Sequence, residues 1–262
     1  MNNNHPMDMQ YEFSRTQMLF GRDAIEKLKR AHVAVFGVGG VGGYAVEVLA
    51  RSGVGKIDLF DNDCVSITNI NRQIIALHST LGRYKVDVAA ERIHDINPDC
   101  IVTCHRLFYL PENADSVDLS QYDYLIDCID TVNAKLELIR RCKQQNVPII
   151  SCMGAANKID PTAFRVSDLS DTQKDPLARI LRKTLRKEGI INLKVVYSDE
   201  TPLRPVEQLP TNSQQECAEQ TEEIPKSTTR RDIPASNAFV PAAAGLIIGG
   251  EVVKDIIAQP VQ

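Results

Sequence analysis

The stretch VAVFGVGGVGGYAVEVLARSGVGKIDLFDND, residues 33–63, reads as a strand, a glycine-rich turn, a helix and a second strand that ends in acid. Gly37, Gly39 and Gly42 fit G-x-G-x-x-G directly after the first β-rich run, and Gly40 and Gly43 thin the turn further. Without Cβ atoms the backbone can approach a phosphate closely, and the next helix points its free N–H groups, with roughly half a positive charge, at the anion. Asp61 ends the second strand, where an acid can accept hydrogen bonds from ribose hydroxyls. The same spacing serves dinucleotide-binding redox proteins and ATP-binding adenylating ones, so the stretch argues for a nucleotide and leaves its kind open.

Outward from this unit the alternation continues. A helix is expected over residues 85–96, a strand over 101–104, a strand in YDYLIDCID, a helix over 134–145 and a strand in VPIISC. Short apolar runs separated by helices of about a dozen residues predict a doubly wound, mostly parallel Rossmann-like α/β sheet, with ligands at the carboxyl ends of its strands. The expected organisation is one domain over residues 1–262: an N-terminal helical arm (1–30), a nucleotide-binding core (31–152) and a C-terminal extension. In that extension residues 199–232 carry four Pro and eight acids against four bases, which predicts a long mobile loop. NAFVPAAAGLIIGGEVVKDII then predicts a closing helix on the sheet.

At 262 residues and 43% hydrophobic content the chain can bury a substantial core. Its net charge of -4 gives no global attraction to nucleic acid or an anionic membrane, so either partner would need a local basic patch. The longest apolar run, AFVPAAAGLIIGG, is about a third short of the ~20 residues that span a bilayer, so no membrane anchor is expected. Seven cysteines, several inside apolar runs, fit a reducing cytoplasm.

The residues after Asp61 separate the two nucleotide chemistries. DNDCVSITNINRQ sets Asp61, Asp63, Asn69, Arg72 and Gln73 within a dozen residues. A nicotinamide ring wants an apolar slot. Attack by a carboxylate on an α-phosphate brings two anions together, which demands cations and a metal to guide the departing pyrophosphate. Arg72 offers a forked donor and Lys85, expected one turn into its helix, a compact charge. Asp130, expected to close the strand DYLIDCID, is a natural Mg²⁺ ligand.

The set GVGGVGG, DND, NINRQ, GRYK and DCID resembles the ATP-dependent adenylating superfamily of ubiquitin-activating enzymes and sulfur-carrier adenylyltransferases. The resemblance implies that Gly40, Asp61, Asn69, Arg72, Lys85 and Asp130 contact ATP or its Mg²⁺. It also implies that Arg15, in EFSRTQMLFG, reaches across a homodimer to the partner's triphosphate. RTQMLFG, LARSGVG, NINRQIIALHSTLGRYKVDVAAERIHDINP, IDTVNAK, MGAANKIDPT and DPLARILRKTLRK are similar to one branch, the tRNA threonylcarbamoyladenosine dehydratases, over nearly all the chain except residues 199–232. That branch implies ATP activation of the threonylcarbamoyl carboxylate beside the tRNA anticodon, with cyclisation as the second step. The expected partners are modified tRNA, a second copy and, further off, a sulfur-relay protein.

Competing expectations are activation of the Gly-Gly end of a sulfur-carrier protein, idle nucleotide and tRNA binding, and, least favoured, a dehydrogenase. Sulfur-carrier enzymes commonly hold zinc with two C-x-x-C pairs, whereas here only Cys100 and Cys104 come near such spacing, so no zinc is expected. Some branch members carry a cysteine where this chain reads Ile233-Pro234, which leaves Cys217 as a weak substitute, read as an incidental thiol. His78 and His105 are read as packed or solvated, and no general base is nominated. Arg179, Arg182, Lys183, Arg186 and Lys187 recur at i, i+3, i+4, i+7 and i+8, a cationic helix face for tRNA phosphates, with Leu177, Ile180, Leu181 and Leu185 opposite.

Overall fold

The computed structural model describes residues 10–207 and 234–259. The β-rich run His32–Phe36 forms β1, and Lys56–Phe60 forms β2 parallel to it, with His32 opposite Lys56 and Phe36 opposite Phe60. Each strand buries four consecutive residues, the pattern of a parallel strand covered on both faces. Ile101–His105 (β3), Tyr124–Asp127 (β4), Ile149–Cys152 (β5), Phe164–Asp168 (β6) and Lys194–Ser198 (β7) complete the sheet. Its order is β3-β2-β1-β4-β5-β7-β6, parallel throughout except for β6, which runs antiparallel to β7. The sheet therefore does not stop at Cys152: β7 extends it in parallel beside β5, and β6 closes the edge.

Ser14–Phe20 (α1) and Arg22–Arg30 (α2) represent the N-terminal arm, whose residues 1–9 lie outside the described residues. Gly42–Ser52 (α3), Lys85–Ile96 (α4) and Val240–Ala258 (α7) cover one face of the sheet, where Leu49, Val86, Ile93, Ile248 and Val252 are buried together. Val132–Gln145 (α5) and Pro176–Lys187 (α6) cover the other, around Leu138, Ile139, Leu181 and Leu185. The closing helix packs on α3 at close range. A side chain at Gly245 would meet the Val41 carbonyl oxygen at 2.3 Å, so the contact needs a glycine there.

Some details differ from expectation. α4 spans the expected residues, but Lys85 is its first residue rather than one turn in, because the backbone bonds Lys85 N–H to Asp63 O (3.0 Å) and Val65 N–H to Arg83 O (2.9 Å) hold the residues before it extended. β4 ends at Asp127, so Asp130 stands three residues beyond it in the loop to α5. On α6, capped by Asp175 with Pro176 in its first turn, the buried stripe is Ala178, Leu181 and Leu185, while Ile180 is 47% exposed. The expected loop begins tied down: Glu200 accepts the Ile159 and Asp160 N–H groups at 2.9 and 3.0 Å, and Leu203 N–H donates to Asn157 O at 2.7 Å. Residues 208–233, with Cys217, lie outside the described residues.

Candidate active site

The strand order reverses between β1 and β4, and the chain turns away from the sheet at both carboxyl ends. Gly37 N–H donates to Phe60 O and Cys128 N–H to Phe36 O, each at 2.8 Å, which sets the two exits side by side. Such a switch point opens a crevice where ligands bind. Gly37 has φ +88°, and a side chain on it would meet Cys128 O at 2.7 Å. Gly42 would place a side chain 1.8 Å from Gly37 O. These two glycines make the turn possible, and Gly37 lines the cleft together with Gly39 and Gly40. Gly42, at the first residue of α3, packs against Gly37 O and does not line the cleft.

Asp61, Asp63, Asn69, Arg72, Gln73, Lys85 and Asp130 line the same cleft with Gly37, Gly39 and Gly40. Asp61 leaves β2 and is fixed by accepting Val38 N–H at 2.8 Å and Asp63 N–H at 2.9 Å. Burial pushes its carboxyl above the usual aspartate range; the Lys85 charge opposes that shift and Asp63 reinforces it. Lys85, buried to its ammonium, lies 2.6 Å from Asp63 Oδ2 and 3.9 Å from Asp61 Oδ1. Asn69 closes a 3-10 turn over Ile67–Asn69 by accepting Ser66 N–H at 3.1 Å, and the next turn projects Arg72 and Gln73. Gln73 is buried, and its Oε1 accepts no hydrogen bond. Leaving a buried acceptor bare costs about 1–3 kcal/mol, so Gln73 Oε1 is able to take a donor from solvent or a bound molecule. Tyr109, which the sequence did not single out, also lines the cleft and carries a buried hydroxyl without a partner.

Behind the cleft sit two polar clusters that sequence reasoning missed or left open. Lys135 and Asp127 are fully buried, 2.8 Å apart, and the ammonium also donates to Ser151 Oγ (3.1 Å) and Cys152 O (3.0 Å). Lys135 therefore faces no ligand. Asp127 accepts Ile129 N–H at 3.1 Å and so braces the loop that carries Asp130. On the β2 side, Asp58 accepts His32 Nε2 at 2.8 Å, His105 Nε2 at 2.9 Å and the Tyr122 hydroxyl at 2.9 Å. Burial alone would raise the Asp58 carboxyl, and these three donors hold it below the usual range. His105 stacks on Phe60 and Phe60 on Phe36, centroids 4.1 Å apart in both pairs, forming a ladder toward the cleft. His105 is thus packed, and His78 is exposed on the 3-10 turn His78–Thr80.

Two sequence candidates lie elsewhere. Arg15 is exposed on α1, outside the cleft of its own chain. Arg179, Arg182, Lys183, Arg186 and Lys187 line one shallow groove along α6. Arg182 is partly committed: its Nη1 donates to Thr172 O at 2.8 Å and Thr172 Oγ1 at 2.6 Å. Among the described residues no group of three or more His, Cys, Asp or Glu could hold a metal ion, and no helix is long and apolar enough to cross a membrane.

Fold and site define a doubly wound, Rossmann-like protein whose cleft sets the buried acid Asp61 beside the cations Arg72 and Lys85. The chain belongs to the ThiF family, whose profile matches residues 13–260. It is 46% identical over 250 residues, 95% of this chain and 96% of the relative, to the tRNA threonylcarbamoyladenosine dehydratase of Bacillus subtilis. The Escherichia coli tRNA N6-threonylcarbamoyladenosine dehydratase TcdA has been solved with AMP and with ATP. It superposes with TM-scores of 0.80 and 0.78 at 34% and 35% identity, each over 94% of both chains.

Proposed function

We propose that this chain is an ATP-dependent tRNA threonylcarbamoyladenosine dehydratase. The threonylcarbamoyl carboxylate attacks the α-phosphate of ATP, pyrophosphate leaves, and a nucleophile on the same modified nucleoside then displaces AMP to close a ring. One observation carries the reading: Asp61, Arg72, Lys85 and Asp130 converge with the glycine turn in a single cleft, in a chain 46% identical to the Bacillus subtilis dehydratase along nearly its whole length.

The chemistry fits the residues. Asp61, desolvated and anionic, accepts the ribose hydroxyls. Arg72 and Lys85 neutralise the phosphates as the carboxylate approaches. Asp130 would hold Mg²⁺, which needs only one or two carboxylates from the protein and would supply charge neutralisation for the departing pyrophosphate. Tethering of nucleophile and acyl-adenylate supplies an effective molarity of order 10⁵ M or more, so the ring can close without a strong general base. The α6 groove is the proposed tRNA surface, four of its cations having no partner among the described residues.

A second copy is the proposed cover for α1, which buries none of its own residues and leaves Met18 86% and Leu19 75% exposed. It would bring Arg15 toward the neighbouring cleft. The cytoplasm is the proposed compartment, where the tRNA substrate and reduced thiols are found. With purified protein, ATP, Mg²⁺ and threonylcarbamoyl-modified tRNA, the expected products are a cyclised nucleoside by mass spectrometry and AMP in equal amount. Pyrophosphate exchange driven by a Gly-Gly-ending carrier protein, with tRNA inert, would overturn the assignment.

A further inference from the structure

Arg72 is held by its own loop, and one of the groups that holds it is held in turn from far along the chain. Arg72 Nη1 donates to Thr68 O at 2.9 Å and to Asn71 Oδ1 at 3.0 Å. The other end of the same amide, Asn71 Nδ2, donates to Ser236 O at 3.1 Å. An amide engaged at both ends has no free rotation left, so residues 234–239 help to set where the guanidinium sits.

Those residues are themselves anchored. Asn157 N–H donates to Ala235 O and Ala235 N–H to Asn157 Oδ1, both at 2.8 Å. Asn237 Nδ2 donates to Lys158 O at 2.8 Å, while its Oδ1 accepts Val240 N–H at 2.9 Å and starts α7. Lys158 is buried and paired with Asp175 Oδ2 at 3.0 Å. α7 also meets the glycine turn directly: a side chain at Gly40 would lie 3.2 Å from Pro241 Cβ and 3.5 Å from Arg72 Cγ. Turn, arginine and the first residues of α7 are one packed unit.

We propose that Asn71 is a positioning residue, which fixes the Arg72 guanidinium at the phosphate half of the cleft by tying it to residues 234–239. The proposal rests on the reading that Arg72 grips the phosphates of ATP. An arginine already aimed loses little side-chain freedom on binding, so the bridge acts on ATP affinity more than on the chemical step.

The test is AMP release with threonylcarbamoyl-modified tRNA, measured against ATP concentration for Asn71→Ala, Arg72→Ala and the double variant. Asn71→Ala is expected to raise the KM for ATP about tenfold with kcat little changed. The double variant should be no worse than Arg72→Ala alone, because without the arginine nothing remains to position. An unchanged KM in Asn71→Ala, or effects that multiply in the double variant, overturns the proposal. Full activity in Arg72→Ala instead removes the arginine from the ATP site and with it the reading beneath. Should Asn71→Ala fail to fold, Asn71→Asp replaces it: the isosteric carboxylate repels Ser236 O and ties up Arg72, so a wild-type KM there overturns the proposal equally.

Discussion

Lys85 and Lys135 are both buried lysines paired with aspartate near the carboxyl end of the sheet, and they differ in what surrounds the pair. Lys135 finds its carboxylate, a hydroxyl and a carbonyl inside the fold, and Asp127 is as buried as the lysine. Lys85 has a partner, Asp63, whose side chain is 63% exposed at the mouth of the cleft. A charge with every partner inside the protein is a structural strut; one whose partner faces the opening can be lent to a ligand.

Removing each ammonium in turn puts the difference under the greatest strain. Lys135→Met leaves Asp127 buried without its counter-ion, and the expected loss is about 3–5 kcal/mol in urea unfolding. Lys85→Met abandons an exposed partner, Asp63, that water can solvate, and leaves Asp61 free to take up a proton, so its expected stability loss is smaller, about 1–2 kcal/mol. Its turnover, in the AMP-release assay, should fall roughly 10²-fold, the scale of deleting one preorganised donor to a developing charge. If Lys135→Met folded normally and lost only activity, the distinction between strut and ligand group would be wrong.

The α6 groove divides in the same way at smaller scale. Arg186→Ala and Lys183→Ala remove cations with no partner among the described residues. Each should weaken tRNA binding by a few-fold and flatten the salt dependence by about one unit of slope. Arg182→Ala instead frees Thr172 and its carbonyl, so it should cost about 1–2 kcal/mol of stability with a smaller change in the slope. Filter binding across a salt series, beside thermal unfolding, separates the two.

What the sequence showed was whatever is carried by local spacing. The glycine turn, the acid after β2 and the NINRQ segment are short local patterns, and Gly37, Gly39, Gly40, Asp61, Asn69, Arg72 and Gln73 from them line one cleft. Gly42 lies outside the cleft lining, and a motif cannot tell a glycine that clears a ligand from one that clears a neighbouring carbonyl. The antiparallel β6 was not foreseen, since strand direction is fixed by pairing partners that lie distant in the chain. The Asp58 cluster gathers residues 32, 58, 105 and 122, and the Asn71 bridge spans from residue 71 to residue 236; neither leaves a periodic or local trace. Lys135 could be seen as a lysine in a helix, but that it faces Asp127 rather than ATP depends on β4, β5 and α5 meeting.

Asp58 and Asp61 show the same contrast within a single strand and its exit. Burial acts on both, yet the donors around Asp58 depress its carboxyl while Asp61 stays above the ordinary range. The signs then oppose. Asp58 contributes stability that is present above the usual aspartate range and lost as pH falls through its lower folded value. Asp61 takes up a proton more readily folded than unfolded, so as pH falls it is neutralised earlier than a free aspartate, and in its proposed role it would then offer the ribose hydroxyls no charged acceptor. The KM for ATP should therefore rise, roughly fivefold, on an acid limb that lies above the ordinary aspartate value, while Asp58 is still charged. Asp61→Asn should flatten that limb and leave KM uniformly raised. Asp58→Asn should leave the limb in place and lower stability in the neutral range. A limb that persists in Asp61→Asn would mean that another group, such as the phosphate of ATP itself, titrates there, and the adenosine-holding role of Asp61 would lose its pH signature.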